Sequence, residues 1–91
     1  MKPETKEGIE NWVNHGFCGG FLRAVLENNL ADSFSRADEE NRADMFEIIK
    51  FIYNEIPGNC WGSPEKCDAW EKRKTEEMAR KIPEEEKYDT R

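Results

Sequence analysis

The apolar residues from Met45 to Ile56 recur with the period of an α-helix, and this pattern constrains the fold more than any other part of the chain. Polar and charged residues occupy the intervening positions. The dipeptide Pro57-Gly58 follows directly and is typical of a helix end. The stripe consists of Met45, Phe46, Ile49, Ile52, Tyr53 and Ile56.

We therefore predict one central helix from Asp38 to Glu55, with Ile49 in the core. Ile48 and Phe51 add apolar surface beyond the stripe. A helix that is apolar on more than one side is either central in its domain or contacts a second subunit. The pattern is thus also consistent with a homo-oligomer.

The rest of the chain predicts further helices, so the expected fold class is all-α: a small bundle of three to four helices. We expect a broken helical segment between the second and third helices, because Asn28-Asn29 makes a poor helix interior. In this segment Phe34 is expected to face the core. The predicted bounds are Glu4 to Asn14, Gly20 to Asn29, Ala31 to Arg36 for the broken segment, and Ser63-Pro64 to Pro83 for the last helix.

Length and charge limit the domain organisation and the possible partners. The 91 residues make one domain, which we place at 1–82, followed by a disordered acidic tail at 83–91. The net charge of −6 disfavours nonspecific binding to a nucleic-acid backbone. No apolar run is long enough to span a membrane. The charged N-terminus and the odd number of cysteines, three, predict a cytoplasmic protein with reduced thiols.

The glycine pair Gly19-Gly20 stands directly before an apolar, helix-like run. Free N–H groups at a helix start can bind an anion, and Arg23 would lie one turn further on. The Lys-Ser or Lys-Thr pair of a nucleotide-binding loop is missing here. We favour the simpler interpretation, a hinge between two helices, and keep the anion site as the alternative.

A second candidate region surrounds the start of the central helix. Asp38 as the N-cap and Asn41 three residues later explain most of this region as a capped helix start. In the alternative, Arg36 and Asn41 face Asn28-Asn29 across a cleft and bind a base edge and a phosphate. Trp61 either plugs the end of the bundle or stacks on a nucleobase. The predicted ligand-binding residues are Gly20, Arg23, Asn28, Arg36, Asn41, Trp61 and Ser63.

Metal binding and catalysis find little support in the sequence. The spacing of His15, Cys18, Cys60 and Cys67 matches only half of the usual zinc pattern. Cys67 is also expected on the apolar face of the last helix, where a thiol serves as a small hydrophobic group. No nucleophile stands in a pattern that supplies a base, an orienting group and an oxyanion hole. We predict no cofactor, no metal and no enzymatic activity.

Four short motifs give the chain a family resemblance: Phe21 to Asn28, Ala37 to Asn41, Tyr53-Asn54 with Pro57, and Gly62-Ser63. It resembles a family of small accessory proteins encoded by bacteriophages, prophages and related mobile elements. The resemblance implies a cytoplasmic protein made in an infected host cell, and it implies no particular activity. Cys18 and Cys67 lie outside the shared pattern.

Together these features lead to three functional hypotheses. The first is a non-enzymatic phage accessory protein that counters host defence by sequestering a small nucleotide signal. The alternative is an acidic, anti-CRISPR-like inhibitor that mimics nucleic acid and blocks a host nucleic-acid-binding enzyme through Glu39 and Glu40. The third is a structural or regulatory module without a dedicated ligand. The predicted partners are therefore a small nucleotide or a host defence protein.

Overall fold

A computed structural model describes the backbone of residues 1–89 and the side chains of residues 1–79. All regular secondary structure in the described backbone is helical, with no strand, which confirms the all-α fold class. It has six helices rather than three or four, because the broken segment forms a helix of its own and the predicted central helix is divided. The helices are α1 Pro3–His15, α2 Gly20–Leu26, α3 Leu30–Arg36, α4 Glu39–Ala43, α5 Met45–Glu55 and α6 Pro64–Asp89.

Helix α1 begins and ends at residues that suit those positions. Pro3 stands in the first turn, where its missing N–H would have no partner in any case. Gly16 ends the helix in the left-handed conformation, with φ of 79°, and donates its N–H to the carbonyl of Trp12. Ile9 and Trp12, three positions apart on one side of the helix, are fully buried.

The turn between α2 and α3 confirms the predicted bend at the two asparagines. Asn28 adopts the left-handed conformation with φ of 64°, and Asn29 accepts the N–H of Asp32 as the N-cap of α3. This cap sets the rotation of α3 so that Ser33, not Phe34, faces the core. The expected burial of Phe34 is therefore wrong, since its side chain is 39% exposed.

The predicted central helix is divided at Asp44, which separates α4 from α5. Helix α5 buries Met45, Ile48 and Ile52. Ile49 is 40% exposed, so its predicted place in the core is wrong. Helix α5 carries two sets of apolar residues with the same helical spacing: Met45, Ile48 and Ile52 form one, and Phe46, Ile49 and Tyr53 form the other. The sequence pattern does not show which set faces the other helices.

Helix α6 begins as predicted, with Ser63 accepting the N–H of Lys66. It buries Cys67 and Trp70 in its first two turns. The helix runs on past Pro83, where the sequence predicted its end. A helix-interior proline costs about 3 kcal/mol but does not forbid a helix flanked by good helix formers. The predicted disordered tail, 83–91, lies outside the side chains that the structure describes.

The indole N–H groups of two buried tryptophans donate hydrogen bonds to backbone carbonyls of other parts of the bundle. The indole N–H of Trp12 donates to the carbonyl of Cys60 at 2.8 Å, and that of Trp70 donates to the carbonyl of Trp12 at 2.9 Å. The N–H of Gly62 donates to the carbonyl of Leu26 at 2.6 Å. These bonds fix the α5–α6 loop against α1 and α2, so the loop is part of the packed structure.

Candidate functional site

The structure brings three of the predicted ligand residues to one side of the bundle. Arg36 reaches back over the start of α2, where a Cβ on Gly20 would lie only 2.9 Å from its Nη1 atom. Its Nε donates to Asp32 at 2.9 Å, one turn earlier on α3. Asn41 lies near Gly19 at a surface depression of about 220 Å³. Its side-chain oxygen already accepts the hydroxyl of Thr5 at 2.8 Å.

Arg23 does not belong to that group, because its guanidinium is fully engaged elsewhere. It donates to three carboxylates, those of Glu27, Asp68 and Glu71, each at 2.7 Å. It also lies over the ring of Trp12, 5.1 Å from the centroid. Partial burial of the guanidinium disfavours its charged form and by itself would lower its pKa. The hydrogen bonds to the carboxylates together have the larger effect, and they raise the pKa of Arg23 above its ordinary value. Arg23 therefore joins α2 to α6 and is not free for an anion.

The other predicted ligand residues have structural roles of their own. Asn28 forms the left-handed turn, and Ser63 caps α6. Trp61 is half-buried, and its ring meets Tyr53 edge to face at 6.3 Å. The Trp61 indole N–H is buried without a hydrogen-bond partner in the described part of the chain. No hydrogen bond between described residues joins Trp61 to Arg36, whose side chain donates to Asp32.

The histidine and cysteines do not form a metal centre in the described part of the chain, where no three possible ligands cluster. His15 is exposed and stacks on Phe17, with ring centroids 6.0 Å apart. Cys60 and Cys67 are fully buried. Burial raises the pKa of the Cys67 and Cys18 thiols to about 11, which disfavours the thiolate that a metal needs.

The outer side of α5 carries a surface that the sequence prediction had placed in the core. Phe46 is 78% exposed, Tyr53 is 73% exposed and Ile49 is 40% exposed. Residues three and seven positions apart lie on the same side of a helix, so these three side chains form one surface. We call Phe46, Ile49 and Tyr53 the aromatic face of α5. The sequence places two sets of apolar residues at helical spacing on α5, and the presence of a second set was the signal that could have revealed this exposed face.

Charged residues of both signs lie along one edge of the aromatic face. Lys50 is exposed and has no ion pair among the described residues. Glu47 is 65% exposed and binds the N-terminal ammonium of Met1 at 2.9 Å. Both side chains lie on the same flank of α5, since they are three residues apart. The face is therefore apolar at its centre and charged at its rim, as protein interfaces commonly are.

Comparison with known proteins does not identify this surface: no protein-family model, no curated protein and no solved structure matches the chain. The resemblance to phage accessory proteins stays a prediction. None of the helices in the described part combines the length and the hydropathy needed to cross a membrane. The functional argument thus rests on the surface of the molecule.

Proposed function

We propose that the chain is a non-enzymatic protein-binding module whose contact surface is the aromatic face of α5. One observation carries this proposal: Phe46 and Tyr53 are each more than seven-tenths exposed on one side of a helix whose other side is buried. Small proteins rarely expose contiguous apolar surface without a use for it. Aromatic residues are enriched at protein interfaces, and tyrosine is among the residues enriched at the hot spots that dominate binding.

The area of the face indicates how much a partner must cover. Burying both rings removes about 300 Å² of surface from water, since each ring can bury 150–250 Å². At about 25 cal/mol/Å² this contributes about 7 kcal/mol. Association itself costs about 4–15 kcal/mol. A stable complex therefore needs contacts beyond the two rings, and Ile49 and the charged rim provide them.

The charge of the chain favours a partner with a basic surface. The net charge is −6, and Glu39 and Glu40 are exposed on α4. Complementary charge speeds association and suppresses binding to acidic proteins. Together with the resemblance to phage proteins, this supports the hypothesis of an inhibitor that binds a host protein with a basic groove through Glu39 and Glu40 on α4, whereas the aromatic face lies on α5.

Capture of a nucleotide keeps one supporting contact, the approach of Arg36 to Gly20. The engagement of Arg23 by three carboxylates gives it less support than protein binding has. Thermal-shift measurements with cyclic and linear nucleotides test it directly. A shift that Arg36→Ala abolishes and Arg73→Ala retains would favour capture. Arg73 is the control because it is also an exposed arginine but lies on α6. Absence of any shift would count against it.

The protein-binding proposal is tested with a double variant on the face. We expect Phe46→Glu with Tyr53→Glu to weaken binding to a purified partner by at least about 100-fold, since each ring is a candidate hot spot. The partner is first captured from host lysate and then measured alone by calorimetry. Leu30→Glu is the matched control, because Leu30 is 68% exposed but lies on α3. Unchanged affinity of the double variant would refute the role of the face.

A further inference from the structure

We infer that the partner of the aromatic face is a second copy of this chain, packed antiparallel across a two-fold axis. The inference rests on the proposed function, because it assigns an occupant to the same face. One side of α5 is already filled by the core residues Met45, Ile48 and Ile52. A helix that is apolar all round is normally buried on every side, so the side that its own domain leaves open requires a further cover.

The positions of the aromatic rings suit a two-fold axis. Phe46 and Tyr53 lie at equal distances from the midpoint between Ile49 and Lys50, about 5 Å along the helix in each direction. An axis through this midpoint places Phe46 against Tyr53 of the partner subunit. The same operation places Tyr53 against Phe46 of the partner subunit. One antiparallel contact thus covers all four rings, as an isologous interface requires.

The charges on the flank of α5 also fit this arrangement. A two-fold axis in the interface plane brings the same flank of both helices together. Lys50 then lies beside Glu47 of the partner subunit, and the reciprocal pair forms on the other half. Both side chains are exposed in the single chain. Antiparallel packing therefore pairs opposite charges at the rim, even though each copy carries a net charge of −6.

The area predicts a weak dimer. Phe46, Ile49 and Tyr53 together offer about 400 Å² of apolar surface per copy, about half of the 800 Å² per partner in a standard interface. Such interfaces are typical of transient complexes. We expect a dissociation constant in the micromolar range, so the dimer forms only at the upper protein concentrations of a dilution series.

The first experiment measures assembly by sedimentation velocity, from about 1 to about 500 μM, a range that brackets micromolar dissociation. The wild type should shift from monomer to dimer across this range. Phe46→Glu with Tyr53→Glu should remain monomeric, and Leu30→Glu should behave as the wild type does. Far-UV circular dichroism checks that each variant folds, which is expected because all three side chains are exposed.

The second experiment tests the antiparallel register by disulfide formation. Ile49→Cys lies next to the proposed axis, so two copies should become linked under mild oxidation. Tyr53→Cys is the control on the same face: its two copies would be about 10 Å apart along the helices of an antiparallel pair, beyond the ~7 Å limit of a disulfide, and opposite each other in a parallel pair. The wild type sets the background, because its Cys60 and Cys67 are buried but its Cys18 is only half-buried. Linkage of both variants would indicate a parallel pair and overturn the register.

The outcomes separate this inference from the proposed function. A wild type that stays monomeric, with binding to a purified partner that the double variant loses, overturns the inference and leaves the function standing. A dimer that survives Phe46→Glu with Tyr53→Glu overturns the inference, because another surface then forms it. A monomer whose partner binding is insensitive to the double variant overturns both.

Discussion

Asp38 performs two tasks with one carboxylate at the junction of α1 and α4. One oxygen accepts the N–H of Asn41 at 2.8 Å and caps α4. The other binds the ammonium of Lys2 at 2.6 Å. The hydrogen bond from Lys2, followed by that from Asn41, lowers the pKa of Asp38 below its ordinary value of 3.8. The charged form is therefore the one that the folded state prefers.

The first prediction concerns the pH dependence of stability. A carboxyl whose pKa is lower in the folded state stabilises the fold above its unfolded pKa, and this contribution is lost as the pH falls through the folded pKa. Asp38→Asn keeps a capping oxygen but does not titrate. Its free energy of unfolding should fall less than that of the wild type between about pH 5 and about pH 2. Urea unfolding across this range measures the difference, and identical profiles would contradict the prediction.

The second prediction concerns Asn28, whose φ of 64° is unfavourable for a residue with a Cβ. Asn28→Ala should lower the free energy of unfolding by about 1 kcal/mol, because alanine lacks the polar side chain that eases this conformation. Asn28→Gly should be neutral or stabilising. Asn54→Ala, at an exposed helical position, is the control. Equal effects of alanine and glycine at position 28 would argue against a conformational cause.

At the scale of the elements, α5 shows what the sequence could and could not predict. Helical spacing predicted that a helix exists here and how it ends, because both depend on local residues. The face that packs depends on where α1 and α2 lie, and spacing contains no such information. Ile49 was therefore placed in the core while Ile48, which is fully buried, was counted only as additional apolar surface.

The third prediction separates the two sides of α5. Ile48→Ala should lower the free energy of unfolding by about 2–5 kcal/mol, because it leaves a cavity at a fully buried site. Ile49→Ala should change it by no more than about 0.5 kcal/mol, since that side chain is partly exposed and alanine is a good helix former. Chemical denaturation at low protein concentration keeps any dimer from contributing. Equal losses in the two variants would contradict the assigned faces.

The fourth prediction concerns the ionic link between α2 and α6. Arg23→Met keeps the apolar stem over Trp12 but removes the bonds to three carboxylates. We expect a loss of about 1–2 kcal/mol, limited because Asp68 and Glu71 are exposed enough to regain water. Arg36→Met, with a single exposed ion pair, should cost less than about 0.5 kcal/mol. A loss for Arg23→Met no larger than for this control would refute the link.

The candidate site was less predictable than the fold for the same physical reason. Arg36 does reach back to Gly20, but the residues meant to complete the pocket are used elsewhere: Arg23 by carboxylates of α6, and Trp61 by Tyr53. Which partner an arginine takes depends on contacts between residues 45 to 48 positions apart. Local motifs do not contain such contacts.

At the scale of the whole molecule, the chain is elongated. It measures 54 × 25 × 23 Å with a radius of gyration of 15.4 Å, whereas a compact chain of this length would have about 12 Å. Helix α6 accounts for the difference, because its 26 residues span about 39 Å. Among its side chains up to residue 79, only those of the first two turns are buried in the core. The molecule thus consists of a small packed bundle and one long helix, α6, whose first turns attach it to the bundle.

We expect that attachment to determine how long the folded state lasts. The indole of Trp70 bonds to the carbonyl of Trp12, 58 residues earlier, so this contact closes the largest loop among the side-chain bonds described. Contacts between residues so far apart in the sequence form after the local helical contacts, because the entropy cost of closing a long loop must first be offset. Trp70→Phe, which removes the bond but keeps a ring, should therefore speed unfolding and leave the refolding rate nearly unchanged. Stopped-flow kinetics would show it, and the lifetime of the fold would then be set by release of α6 from α1.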